Sequence, residues 1–384
     1  MSSLAENIAR LAAFRTKPRF HSAPSVLDRL SDLAGFGSNP GALRARFYVP
    51  KGLPAAAPLV VVLHGCTQTA AVYDDGSGWS HLADREKFAV LYPEQQRTNN
   101  ANLCFNWFVP GDIRRNEGEA LSIRQMIETF ITAHGLDRHR VFVTGLSAGG
   151  AMASVMLATY PEIFAGGAII AGLPFGGATT IPEAFESMRG QDGRSEVKLQ
   201  GLVRGASLHK GPWPTVSVWQ GSADRTVDSS NAEAIIRQWR EIHELSKKPT
   251  RTEMIEGHQR RVWCDASGRA LIEEYVVAGM AHGTPLKTAG HDGLGRAGAF
   301  MLEAGISSTR HIARFWGLLD SRDSVTDTEA PIVGGSQETA IATVRGATKP
   351  RLVQTKRRKE PGGGTGGGVR TIIEDALRKA GLMR

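Results

Sequence analysis

Three short runs set the frame for this chain. LVVVL (59–63), VFVTG (141–145) and TVSVW (215–219) are rich in β-branched residues and too short to be helices. Such runs suit strands buried on both faces, as in a parallel sheet covered by helices on either side. Further strands are read at 44–49, 89–92, 167–171 and 271–277, with helical patterns at 119–133, 148–160 and 232–245. Strand and helix therefore alternate from residue 42 to about 319, which predicts an α/β domain. The interval 174–213 breaks the alternation and is read as a cap-like insertion, because loops of that length in compact domains usually carry function. With 384 residues and 41% apolar content, the chain can bury one large core. Residues 1–41 read as a helical extension over that domain, and 320–384 as a separate tail.

The pentapeptide Gly145-Leu146-Ser147-Ala148-Gly149 fits G-x-S-x-G between a buried-looking strand and a helix rich in small residues. That context predicts a strand-to-helix bend that lifts the serine Oγ off the sheet, the nucleophile arrangement of an α/β-hydrolase fold. The helix N-terminus behind it favours the negative charge of a tetrahedral intermediate. In this fold the acid and the histidine follow the serine in that order. Asp224, in GSADRTV just past the 215–220 strand, is the candidate acid. Asp228 lies further into the loop and reads as a cap for the helix starting near Ser230. His282, in GMAHG after the 271–277 strand, is the candidate base, whereas His291 and His311 follow no strand. Ser147 would attack an acyl carbonyl, His282 would act as base and then acid, and Asp224 would fix the imidazole tautomer. The loop His64-Gly65-Cys66-Thr67-Gln68 ends another strand and is the expected source of a second oxyanion donor. The backbone N–H groups of Cys66 and Ala148 are predicted to form the hole.

Charge and composition exclude other classes. The net charge is +8, and the 11 basic and 3 acidic residues from Arg345 onward account for all of it, leaving residues 1–344 neutral. The basic character belongs to a tail, so no nucleic-acid partner is expected. No H-E-x-x-H occurs, the three cysteines (Cys66, Cys104, Cys264) are far apart, and no G-x-G-x-x-G follows a first strand. Neither a metal nor any cofactor is expected. No run of roughly 18 apolar residues is present to span a membrane. The first twenty residues read as an amphipathic helix and not as a secretory signal, which predicts a cytoplasmic enzyme.

Taken together, LHGCTQ (63–68), GWSHLADREKFAVLYPEQ (78–95), CFNWF (104–108), GLSAGGAM (145–152) and GMAHGTP (279–285) resemble the esterase family of poly(3-hydroxybutyrate) depolymerases, over roughly residues 44–319. The resemblance implies an α/β-hydrolase that cleaves 3-hydroxyacid polyesters or related carboxylic esters, with Ser147, Asp224 and His282 as triad and Cys66 at the oxyanion site. It makes Trp107 a candidate wall of the substrate cleft; a buried core aromatic is the equal alternative. It also suggests that Cys66 and Cys104 are neighbours near the site and form a disulfide in an oxidising compartment. Many members of the resembled family are secreted, so an extracellular enzyme is the alternative to a cytoplasmic one. Within the hydrolases, the alternative is an esterase of acetylated or feruloylated saccharides; outside them, a non-catalytic binding protein on the same fold.

The tail offers KRRK (356–359), a PGGGTGGG linker and an apolar stripe at 369–380. It is read as a tether to a polyester granule or another anionic or apolar surface, the alternative being a solubilising tail or a helix docked back on the domain. Deleting residues 320–384 should leave turnover of small soluble esters unchanged. Co-sedimentation with anionic vesicles or granules should weaken, with a salt-dependent difference; equal sedimentation of both forms would refute the tether.

Overall fold

The computed structural model describes residues 26–319 except Asp192. The expected tether at 320–384 and the first 25 residues lie outside the described residues.

Among the described residues, ten strands form one sheet in the order β1-β2-β4-β3-β5-β6-β7-β10-β9-β8. They are β1 (Ser31–Asp32), β2 (Arg44–Tyr48), β3 (Leu59–Leu63), β4 (Ala89–Glu94), β5 (Val141–Leu146), β6 (Gly166–Ile170), β7 (Thr215–Gly221), β8 (Arg251–Ile255), β9 (His258–Cys264) and β10 (Ala270–Val277). From β4 to β10 the neighbours run parallel, and antiparallel strands close both edges. β3 shows why its sequence carries no polar residue. Leu59, Val61 and Leu63 enter a core that includes Phe130, Met152 and Trp239, while Val60 and Val62 enter a second core with Trp219, Tyr275 and Trp316. The sheet is thus sandwiched between two apolar layers, the architecture of an α/β-hydrolase.

All seven strands read from the sequence are present, within two residues at each end. The hairpin β8–β9 was not read, and its composition explains why. RTEMI is the charged edge strand and HQRRVWC the charged strand beside it. Their arginines cover two acids that β10 buries: Arg260 lies 2.7 Å from Glu273, and Arg261 pairs with Glu274. The acids in LIEEYVV are therefore interior residues neutralised by an edge hairpin. The short pair β11 (Thr284–Leu286) and β12 (Met301–Glu303) brackets a long loop at 287–300.

The 174–213 insertion has more order than its weak periodicity implied, holding helices Ile181–Met188 and Glu196–Ala206. The second packs on helix Ser230–Ile242. One fully buried amide secures this contact. Gln238 donates from Nε2 to the carbonyls of Phe175 and Leu199, both at 3.0 Å, and its Oε1 accepts from Phe175 N–H at 3.0 Å. Replacing it strands buried backbone groups and opens a void. Gln238→Ala should cost about 2–4 kcal/mol by urea denaturation, with KM rising because the insertion is loosened; a loss below about 0.5 kcal/mol would show the anchor to be dispensable.

Candidate active site

β5 ends at Leu146 and helix Ala148–Thr159 follows, leaving Ser147 alone at the bend. Its backbone sits at φ 57°, ψ −117°, a conformation that costs a non-glycine residue on the order of 1–3 kcal/mol. The bend meets its backbone demands: Ser147 N–H donates to Ile170 O at 2.9 Å, and Ala151 N–H to Ser147 O at 2.8 Å. Its Oγ makes no cap bond to the helix, which leaves it available for chemistry. Only small neighbours fit here. A Cβ on Gly145 would lie 2.3 Å from Gly149 O, and one on Gly149 would lie 2.3 Å from Leu63 O.

Asp224 occupies the turn after β7. Its Oδ1 accepts from the N–H groups of Thr226 (2.8 Å) and Val227 (3.0 Å), and its Oδ2 from Gln220 Nε2 (3.1 Å). His282 Nδ1 lies 2.7 Å from that Oδ2, with side-chain exposures of 4% for His282 and 0% for Asp224. A carboxylate only accepts, so the neutral imidazole carries its proton on Nδ1 and leaves Nε2 as a base. The two loops are also bonded through their backbones, Ala223 N–H to Met280 O at 2.9 Å and Ser222 N–H to Val277 O at 3.0 Å. His282 and Ser147 line one small pocket with Gly65, Gln68 and Phe300. Ser147 Oγ itself makes no hydrogen bond among the described residues. The rivals lie elsewhere. Asp228 binds Ser230 N–H (2.9 Å) and Oγ (2.7 Å) at the next helix, and His291 is fully exposed. His311 faces Glu256 and Tyr275.

The oxyanion loop is held by groups that the sequence reading passed over. His64 Nε2 accepts from Gln95 N–H at 3.1 Å, so Nδ1 carries the proton and donates to Gly65 O at 2.8 Å. Burial holds this imidazole below its usual range, outweighing the Gly65 bond, and keeps it neutral. Gln68 Oε1 accepts from Gly65 N–H at 2.9 Å, and Thr67 N–H donates to Asn102 O at 2.7 Å. Cys66 is joined to Cys104 by a disulfide with Cα atoms 4.2 Å apart, bracing the loop against the CFNWF segment as the resemblance suggested. The N–H groups of Cys66 and Ala148 are not spent on other backbone acceptors. Both residues line an apolar cleft of about 790 Å³, counting space open to solvent, together with Ser147, Trp107, Phe185 and Met188. Trp107 thus walls the cleft while being largely buried itself, at 7% exposure.

Behind the cleft sits Glu119, fully buried in the first turn of helix Gly118–His134. Its Oε1 accepts from Gln95 Nε2 (2.6 Å) and Asn99 Nδ2 (3.2 Å), and its Oε2 from Asn106 N–H (2.9 Å). Gln95 Nε2 also reaches Cys104 O at 2.9 Å, so this carboxyl supports the CFNWF segment. Burial, reinforced by nearby Asp112, pushes it up to about 8. The sequence signal for this network was the glutamine that closes PEQ at the end of β4. Among the described residues, no group of three or more His, Cys, Asp or Glu is placed to hold a metal ion.

Residues 43–250 match the family model described as Esterase PHB depolymerase. Poly(3-hydroxyalkanoate) depolymerase C of Paucimonas lemoignei is 45% identical over 76% of this chain and 70% of its own. Acetylxylan esterase of Coprinopsis cinerea is 31% identical over 68% and 71%, and feruloyl esterase B of Talaromyces stipitatus 29% over 67% and 72%. Among solved structures, acetyl xylan esterase from Aspergillus awamori superposes with a TM-score of 0.65 at 23% identity, covering 76% of this chain and 99% of that one. This last likeness bears on the fold.

The Glu119 network has a pH signature. Its folded value near 8 lies above the ordinary 4.5, so the folded state binds the extra proton between those limits. Its contribution to stability is complete below the ordinary value and is lost as pH rises through about 8. Glu119→Gln cannot ionise. The stability gap between wild type and variant should shift against wild type by about 2–3 kcal/mol from pH 6 to pH 9, as read from urea midpoints at both pH values. A gap that does not move with pH would place the titration elsewhere.

Proposed function

Since this chain belongs to the PHB depolymerase family of esterases and is a serine-type ester hydrolase, we propose that it cleaves poly- or oligo-(3-hydroxyalkanoate) esters through an acyl-enzyme on Ser147. The observation that carries this reading is the Asp224–His282 pair, bonded at 2.7 Å and sharing a pocket with the strained serine. His282 Nε2 takes the proton as Ser147 Oγ bonds to the ester carbonyl carbon. The carbonyl oxygen becomes an oxyanion held by the N–H groups of Cys66 and Ala148. The carbon–alkoxy bond then breaks, and the alkoxy oxygen leaves with the proton from His282. Water repeats the sequence: His282 takes one of its protons, its oxygen bonds to the acyl carbon, and Ser147 regains its proton as the acid departs.

The relative named as a poly(3-hydroxyalkanoate) depolymerase, the apolar cleft and the Trp107 wall support an aliphatic hydroxyacyl substrate. The Cys66–Cys104 bond supports an oxidising compartment, and hence the extracellular alternative over the cytoplasm. Contact of the basic tail with a granule or anionic surface is part of the same proposal and rests on the 356–359 run alone.

Ser147→Ala should lower kcat/KM by about 10⁴-fold, and Asp224→Asn by a similar factor through the wrong imidazole tautomer, with folds intact by circular dichroism. The substrate is read by comparing release of 3-hydroxybutyrate from oligomers with turnover of acetylated and feruloylated sugars. Turnover confined to the sugars would replace the polyester reading with a saccharide one. Failure of Ser147 to react with an organophosphonate would remove the catalytic reading altogether.

A further inference from the structure

Ser147 stands between two pockets of unequal size. The larger, about 790 Å³, is lined by Cys66, Ala148 and Trp107 and by the insertion residues Phe185 and Met188. The smaller, about 210 Å³, is lined by Gly65, Gln68, His282 and Phe300. Ser147 and Cys66 belong to both. An ester carbon bound to Oγ has three other substituents, and their directions follow from the chemistry. The oxyanion points to the N–H groups of Cys66 and Ala148. The departing oxygen must reach the proton on His282, which lines the smaller pocket. The acyl chain is left the larger one.

The smaller pocket has one aromatic wall, and the chain goes to some trouble to keep it there. Phe300 sits in a tight turn, with Gly298 N–H donating to Met301 O at 2.9 Å and Met301 N–H to Gly298 O at 3.1 Å. Its φ is +62°, at the turn position that glycine or asparagine normally fills. A bulky residue there is a true outlier, although the same loop uses glycine at 290, 293, 295 and 298. Its ring stands edge-on to His282, with centroids 6.1 Å apart and planes at 81°. Its carbonyl accepts from Thr284 N–H at 2.8 Å, two residues beyond the histidine. The loop is tied down by the Arg296–Asp75 ion pair and by Arg296 N–H to Gly76 O at 3.0 Å. A side chain carried on a strained backbone and held against the base that protonates the leaving group is placed to read that group.

We propose that Phe300 sets which alcohol this enzyme releases, by limiting the width of the cleft on the His282 side, while Phe185 on the insertion sets the length of acyl chain it accepts. The inference rests on the roles given above to Ser147 and His282, and not on the identity of the natural polymer.

The test uses the full chain and simple esters in two series: butyrates of methanol, isopropanol and cyclohexanol, and methyl esters from acetate to octanoate. Phe300→Gly should raise the cyclohexyl-to-methyl ratio of kcat/KM by about tenfold, leave the acyl series within about threefold, and keep the thermal midpoint within about 3 °C because glycine relieves the strained φ. Phe300→Asn, which also tolerates this backbone, should move the ratio in the same direction. Phe185→Ala should raise the octanoate-to-acetate ratio by about tenfold and leave the alcohol ratio alone. Alcohol ratios unchanged in both Phe300 variants, or an acyl series that moves with them, would overturn the assignment. So would a uniform loss on all esters accompanied by a large fall in midpoint, the mark of a purely structural residue. A wild type inert towards every simple ester would instead count against the catalytic reading of Ser147. A wild type that hydrolyses these esters but no hydroxyacid oligomer would leave the Phe300 assignment standing.

Discussion

Everything at the catalytic centre depends on one backbone residue held where it would not rest by itself. Ser147 at φ 57° is unfavourable locally, so the surrounding structure must over-determine it. The sheet supplies one part, through the bond from Ser147 N–H to Ile170 O on β6. The helix supplies the other: every residue of Ala148–Thr159 is buried, and its first turn of small side chains lets it lie against the ends of β3 and β5. The apolar sandwich around the parallel strands is thus what keeps the serine strained and its hydroxyl free.

The other groups reach the serine from separate loops, and each loop is fixed by bonds that do not involve the serine. The Asp224 and His282 loops are joined through backbone hydrogen bonds next to the β7–β10 pairing. The 64–68 loop is fastened at three points, by His64 to Gln95, by Thr67 to Asn102 and by Cys66 to Cys104, and Gln68 closes it internally onto Gly65. Pre-set donors and an oriented imidazole are what an oxyanion mechanism requires, because they need no reorganisation when charge develops. Neutral His64 fits this pattern. With Nε2 receiving the Gln95 N–H, a second proton would put two donors face to face.

The parts of this arrangement that the sequence made legible are those where chemistry restricts residue type. LVVVL has no alternative to a doubly buried strand, and a G-x-S-x-G between strand and helix leaves Ser147 little else to be. Asp224 and His282 followed from chain order and from strand ends. The parts that were hidden depend on pairing across the sheet. RTEMI and HQRRVWC look like solvent-facing loops until Glu273 and Glu274 are known to be buried beneath their arginines. The insertion helices are short, and the polar contact that anchors them comes from Gln238 on another helix, which no local pattern shows. Glu119 and Phe300 were invisible for a related reason. A carboxylate in a helix and a phenylalanine in a loop are ordinary in sequence, and become notable only through burial in one case and a positive φ in the other.

Ser147 and Phe300 are both strained, and they answer to different constraints. In the proposed mechanism the strain at Ser147 stands the nucleophile clear of the sheet, a demand that any ester would impose. Phe300 is strained beside His282, and in the role proposed for it that strain answers to the shape of the substrate. The segments that carry the two cleft walls have separate anchors: the insertion is fastened to helix Ser230–Ile242 through Gln238, and the 287–300 loop to helix Ala70–Ser77 through Arg296. Neither anchor touches Ser147, Asp224 or His282. Each wall thus has a fastening of its own away from Ser147, although the Phe300 carbonyl also holds Thr284 N–H beside His282. A fold organised in this way can meet new esters by altering loops and insertions, which fits relatives named for polyester, acetylxylan and feruloyl esters at 29–45% identity to this one chain.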